Sequence, residues 1–425
     1  MGKYLADSLV TVYPFTQQPD GADVAIANAA NSVVLSVPAG ALDILNSLAG
    51  GKTVGETRAL YERLHDEKPD IEAFLEVMER EGFVTTSTDG DGEPARSALA
   101  VATPALPTSA SWRRGHFTKI TPETARRICS PAVLASCGLV IVLGLALIAS
   151  DPSLLPSRTI LVFPNHLTLL TLVVTVYVFC SIFLHELGHL VVARAAGVPS
   201  RLGLGHRLWA LVAETEMTGI WMASKRHRYL AFLAGPLVDA VSTAILITLL
   251  WTDRQGWVSL PFTVALVIRA CVFTYLIRLL WQCLFFVRTD FYYVIANAFN
   301  CKNLLADTEA FMRNQLARIL PSIAKVDQSV IPLHEMRAIR WYSLIWLVGR
   351  ATAFGGLFFI TLPIFWGYGV RIAGAFLADR RSLYEVADAL AFMMTEGTLL
   401  IAGMVLWIRG LLSAFKGGSD AMGTH

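Results

Sequence analysis

Cysteine is sparse and unpatterned in this chain: 6 residues in 425, with no CxxC spacing. Four of them, Cys137, Cys180, Cys271 and Cys283, fall inside apolar runs. A disulfide framework and a thiolate metal site are thereby excluded, and these cysteines read as small apolar packing residues. The first thirty residues lack an apolar core long enough for a signal peptide, so none is expected. Gly2 is followed by Ala6, not by the Ser or Thr that the N-myristoylation pattern requires. Basic charge is also missing from the first quarter: residues 1–110 hold 7 Lys and Arg against 16 Asp and Glu. That balance argues against nucleic acid as a partner. Charged residues make up only 16% of the whole.

What fills the space is apolar. Hydrophobic residues are 54% of the chain and the mean hydropathy is +0.53, which points to a multi-span membrane protein. The expected fold class is mainly α: a polytopic transmembrane helical bundle carrying a small N-terminal α+β, winged-helix-like domain. Six apolar segments approach spanning length, near 131–150, 168–193, 229–251, 261–287, 342–366 and 388–408. Arg113, Arg114, Lys119, Arg126 and Arg127 precede the first. A second basic group, with Arg194, Arg201, Lys225 and Arg228, follows the second span, and Arg409 and Lys416 follow the sixth. The positive-inside rule then puts both termini in the cytoplasm. Arg371, Arg380 and Arg381 run against it, partly balanced by Asp379 and Glu385.

One motif sits where lipid should tolerate it least. His185-Glu186-Leu187-Gly188-His189 ends the apolar run from Leu169 to Phe183. On a helix, positions i and i+4 share a face, so His185 and His189 present two imidazoles to one point. Glu186 lies one step round, placed to polarise a water on the metal, not to ligate the metal. A glutamate and two histidines at such depth are costly without a functional reason. The pattern predicts a zinc hydrolase built inside a membrane, with one zinc per chain.

A catalytic zinc needs a third protein ligand and one open position. If the termini are cytoplasmic, spans two and four both run inward. Span four then delivers Asp290 to the same side as His185 and His189. An interfacial pairing of Asp290 with Arg288 is the plainer alternative. Asp239, Arg278 and Arg350 are further charges within spans, and a structural pair of Asp239 with one of the two arginines is the favoured reading. Arg269 has no partner legible in the sequence.

Three segments together carry a resemblance: His185 to His189 in one span, Ala234-Gly235-Pro236-Leu237-Val238-Asp239 in the next, and Arg288-Thr289-Asp290-Phe291-Tyr292-Tyr293 later. Over roughly 112–410 the chain is similar to the site-2 protease family of intramembrane zinc metalloproteases, closest to the peptide zinc metalloprotease subgroup. The resemblance implies His185, His189 and Asp290 as zinc ligands, Glu186 as the residue that activates water, and a bacterial inner or plasma membrane setting. The chain departs from that family's pattern in two places. Phe291 stands where Gly is usual, and Asp239 stands where Asn is common, which leaves Asp239 as a rival ligand or substrate contact.

Between spans two and three, Leu208 to Glu216 alternates in the period of a strand. A hairpin there would bind an extended substrate by strand addition, or serve as a structural loop.

Ahead of the membrane body, residues 85–111 are rich in Thr, Ser, Ala, Pro and Gly without periodicity and read as a flexible linker. Residues 1–84 form a compact module. Val33–Val37 reads as a strand and Ala41–Leu48 as a helix. Thr53 and Glu56 form a capping box for a helix through His65, and Asp70 caps a third helix that Gly82 stops. Phe83 and Val84 return as a strand. Over about 24–84 this pattern resembles the PqqD-like peptide-recognition domain, which implies that the module captures a precursor peptide for the membrane body (112–425) to cut. The expected partners are a peptide or membrane-protein substrate, membrane lipid and an export or peptide-modification partner. The competing reading is a non-proteolytic, metal-holding binding or export component.

Overall fold

Thr53 opens its helix as the capping box predicts: its hydroxyl accepts from Glu56 N at 3.2 Å, and the Glu56 carboxylate accepts from Thr53 N at 3.0 Å. A computed structural model describes residues 4–20, 23–28, 33–86, 120–207, 210–301, 303–320, 323–329, 331–377, 382–398, 401 and 405. The chain forms two compact units. One comprises 1–126, 192–201 and 217–231, the other 127–191, 202–216 and 232–425.

In the first unit, β1 (Val10–Val12) pairs antiparallel with β5 (Val84–Thr86). Strands β2 (Thr16–Asp20), β3 (Asp23–Asn28) and β4 (Val33–Pro38) form an antiparallel sheet in that order. Helices α1 (Ala39–Ala49), α2 (Val54–His65) and α3 (Ile71–Arg80) close a core of Ile26, Leu45, Ile71, Leu75 and Phe83. Asp70 caps α3 through Ala73 N at 3.1 Å. Gly82, at φ 76°, makes the left-handed turn that ends α3 and returns the chain as β5. Thr85 and Thr86 therefore continue a strand and do not begin a linker. The rest of the expected linker, 87–111, lies outside the described residues.

The second unit holds most of the apolar helices. Helix α4 (Pro122–Ile128) leads into α5 (Pro131–Ser150). Then come α6 (Leu167–Ala195), α7 (Lys225–Arg254) and α8 (Phe262–Trp281). Two shorter helices follow, α9 (Asp290–Phe299) and α10 (Leu304–Leu316). Helix α11 (Leu333–Gly356) runs through a π-helical stretch, Leu357–Thr361, into α12 (Leu362–Leu377). Residues 383–398 are again helical. Among the described residues, five helices are long and apolar enough to cross a membrane: Pro122–Ser150, Leu167–Ala195, Lys225–Arg254, Phe262–Trp281 and Glu335–Leu377. The first five expected spans are all present, so the fold is the expected helical bundle with a small α+β part.

Two boundaries differ from the sequence reading. Span four stops at Trp281, because residues 282–289 turn back on themselves through bonds such as Cys283 N to Leu280 O and Val287 N to Leu284 O. Span five extends well past the predicted 342–366, since the α-helix runs on through Gly355 and Gly356 and a π-helical turn carries it into the next helix without a break. The expected sixth span is helical over 388–398, and most of its remainder lies outside the described residues. Arg269, which had no legible partner, donates to Ser153 O at 3.4 Å beside an ion pair of Arg254 with Asp151 at 2.7 Å. Helices α5 and α7 meet so closely at Gly144 that a Cβ there would collide with Ala244, the small-residue contact common between membrane helices.

The helix that carries the histidines is capped from 220 residues away. Asp388 accepts from Leu167 N at 2.8 Å and from Thr168 N at 3.0 Å, and Thr168 Oγ1 donates to Asp388 O at 2.6 Å. The carboxylate thus satisfies two of the orphan N–H groups that every helix start presents. Asp388→Ala is expected to cost about 1–2 kcal/mol, the usual worth of a lost cap. Thermal unfolding in detergent would show a lower midpoint; an unchanged midpoint would mean the cap carries no weight.

Candidate metal centre

Because α6 is regular through the motif, His185 and His189 face the same way, with ring centroids 5.0 Å apart. Both are buried. Gly188 lets α6 approach α7, since a Cβ there would press on Val238 and on the Ala234 carbonyl. Gly235, on α7, faces both rings: a Cβ there would overlap Nε2 of His185 and of His189. The Ala-Gly-Pro segment is therefore the wall that leaves room at the two nitrogens.

Asp290 arrives from the other side, at the first residue of α9. Thr289 caps that helix, accepting from Tyr292 N at 3.3 Å while donating to Gln282 O at 3.0 Å. Gln282 then clamps Asp290 twice. Its amide donates to Oδ2 at 2.9 Å and its carbonyl accepts from Asp290 N at 3.1 Å. Phe291 in place of glycine is accommodated because Asp290 begins an ordinary helix and needs no left-handed residue after it.

The three side chains form the one group among the described residues whose ligand atoms all lie within 4.8 Å of one another. His185 Nε2 is 3.3 Å from His189 Nε2 and 3.2 Å from Asp290 Oδ2, and His189 Nε2 is 3.5 Å from Asp290 Oδ1. A tetrahedral zinc with bonds of about 2.1 Å separates its ligands by about 3.4 Å. Donor types, spacing and the cradle at Gly235 all fit a zinc ion.

Asp239, the rival ligand in the sequence, is on the wrong side of the ring. It accepts from Nδ1 of His185 at 2.9 Å and has no exposed surface. A carboxylate can only accept there, so the Nδ1 proton is fixed and Nε2 is left as a lone pair. Arg278 neutralises Asp239 in a fork, Nε to Oδ2 at 2.8 Å and Nη2 to Oδ1 at 2.6 Å, and reaches Ser181 Oγ at 2.9 Å. The favoured pairing of Asp239 with an arginine is what the structure shows, with Arg278 and not Arg350 as the partner. The other role of Asp239, orienting His185, is not legible in the sequence, and neither is the part played by Gln282.

Glu186 is held by the hairpin of β6 (Arg201–Arg207) and β7 (Ala210–Glu216). Thr215 N donates to the Glu186 carboxylate at 2.8 Å, and Thr215 Oγ1 donates to the Glu186 carbonyl at 2.9 Å. Over Ala210–Glu216 the alternating segment is thus a strand fastened to the helix that carries the two histidines; Leu208 and Trp209 lie outside the described residues.

Two substitutions probe this geometry by zinc titration against a competing chelator. Gly235→Ala is expected to abolish binding by filling the space at both Nε2 atoms. Asp239→Asn is expected to weaken it about 10- to 100-fold, the usual effect of losing such a supporting carboxylate. Unchanged affinity in Gly235→Ala would place the metal elsewhere.

A family model matches residues 173–414, more than half of the chain, and its description is peptidase family M50. The matched stretch begins inside α6 and takes in His185, Glu186, His189 and Asp290; the first 172 residues lie outside it. No curated protein and no solved structure matches the chain. The chain belongs to peptidase family M50, the site-2 protease family of intramembrane zinc metalloproteases.

Proposed function

We propose that this member of the family hydrolyses a peptide bond in a precursor peptide or in the membrane-proximal segment of a protein, at a zinc held by His185, His189 and Asp290. The observation that carries the reading is the mutual spacing of those three donors, with Glu186 one residue from the first. Zinc, when bound, supplies Lewis-acid polarisation of the scissile carbonyl and of the attacking water. Glu186 accepts the water proton and passes it to the leaving amine nitrogen. The N–H of Thr215 keeps that carboxylate from swinging away, and Asp239 keeps His185 in the tautomer that leaves Nε2 basic. Gln282 fixes which oxygens of Asp290 face the histidines.

A helical substrate protects its carbonyls by its own hydrogen bonds and must be unwound before it is cut. Strand β7, anchored at Glu186 through Thr215, is the element that holds the substrate open in this proposal, because an extended segment can add to it as a further strand. The N-terminal part of the chain, through β5, serves in this reading as a PqqD-like module that captures the peptide for a membrane body of 112–425. Both termini face the cytoplasm of a bacterial cell. An export or peptide-modification protein receives the product, and nucleic acid is not a partner.

The competing reading, a metal-holding scaffold without proteolysis, is separated by one comparison. Wild type and Glu186→Gln, each shown to contain zinc, are incubated with a membrane-reconstituted peptide substrate. Glu186→Gln is expected to lose at least about 100-fold in rate, as removal of a general base does. Equal product from the two would overturn the mechanism.

A further inference from the structure

Beyond the zinc site, the second unit holds a cavity of about 690 Å³ between α10 and α11, lined by Glu309, Met312, Arg313, Leu316, Trp346 and Arg350 among others. Its polar content is unbalanced. Arg350 stands well inside the fifth spanning helix, yet among the described residues no carboxylate lies within ion-pair distance of it. Arg350 is exposed, and its guanidinium lies over two rings, 4.4 Å from the centre of Phe286 and 4.6 Å from that of Trp346. Arg313, one wall away, likewise has no ion pair among the described residues. The indole N–H of Trp346 is buried with no hydrogen-bond partner among the described residues. Glu309 is the one acidic residue in the lining, so the cavity carries a net charge of +1.

An arginine on a membrane helix normally finds a carboxylate, a carbonyl or a headgroup. Contact with two rings uses none of the guanidinium N–H groups, which radiate in its own plane and match a phosphate in a fork. Gln315 is the one further polar residue of the lining; the rest is apolar, and Leu316 and Ile319 are 47% and 77% exposed. A water-soluble anion has no use for such a rim. A lipid has: its phosphate meets the arginines while its glycerol and first acyl carbons lie on Leu316 and Ile319.

We infer that this cavity binds the phosphodiester headgroup of an anionic phospholipid, through Arg313, Arg350 and the Trp346 N–H. The site adjoins the metal centre without belonging to it. Phe286, under Arg350, lies in the 282–289 turn that positions Asp290, and Gly349, next to Arg350, has its Cα against the Phe285 backbone with no room for a Cβ.

The test uses the full-length chain in detergent, titrated with phosphatidylglycerol or phosphatidylcholine and read by native mass spectrometry. A first phosphatidylglycerol adduct is expected to form in preference to phosphatidylcholine. Its affinity is expected to fall about tenfold in Arg350→Gln, as loss of a charge-assisted bond to phosphate does. Arg313 is exposed on its helix, so Arg313→Gln gives the same answer should the Arg350 variant fail to fold. Equal binding of the two lipids, or wild-type affinity in a folded variant, would overturn the assignment. Displacement of the adduct by millimolar inorganic phosphate alone would also overturn it, by giving the site to a free anion.

Discussion

Asp239 is a carboxylate sealed completely inside an apolar helix bundle, and the rest of the site depends on how that charge is tolerated. Taking a lone carboxylate out of water costs many kcal/mol, and an arginine repays it only with good geometry and further hydrogen bonds to the carboxylate. Both conditions hold: Arg278 forks onto the two oxygens, and His185 takes a further position on Oδ2. The ion pair ties α7 to α8, and the third bond ties both to α6. The packing that neutralises a buried charge is therefore the same packing that aims His185. Removing either member leaves the other as an uncompensated charge, so the motif helix and its two neighbours stand or fall together.

Around that knot the chain separates two jobs that one residue could not do. Asp239 orients a ligand from behind, and Asp290 joins the ligand set from in front. Asp290 itself is held by a short turn, not by a long helix. Thr289 and Gln282 pin it from within a stretch of eight residues, and span five supports the stretch from outside. Tyr342 donates to Phe285 O at 2.6 Å, and Gly349 packs against the Phe285 backbone. The ring of Tyr293 stacks on Phe232 of α7 at 5.3 Å, which fixes the far side of α9. The site is thus assembled at the point where four elements with different directions meet.

How much of this is legible in the sequence follows from the physics of each signal. Two histidines four apart on an apolar helix declare a shared face by periodicity alone. Asp290 is reachable because counting spans settles which helix ends lie together. Gln282 leaves no trace, since a glutamine at a span's end is equally at home facing water. Asp388 is likewise invisible: a cap supplied from 220 residues away has no local pattern, unlike Thr53 and Glu56, which announce themselves within four residues. Strand β2 is hidden for a different reason. Thr16-Gln17-Gln18-Pro19-Asp20 shows no apolar alternation, and it survives as an edge strand, where Pro19 is tolerated. Ligand geometry carries a periodic signal; support from distant elements does not.

The most direct test of the account is the zinc content of the purified chain beside that of Asp290→Ala. About one zinc per wild-type chain, lost when Asp290 is removed, is the predicted result, because two histidines alone do not complete a catalytic zinc site. Zinc retained at full stoichiometry in Asp290→Ala would contradict the ligand set, and with it the way α6, α7 and α9 are held to converge.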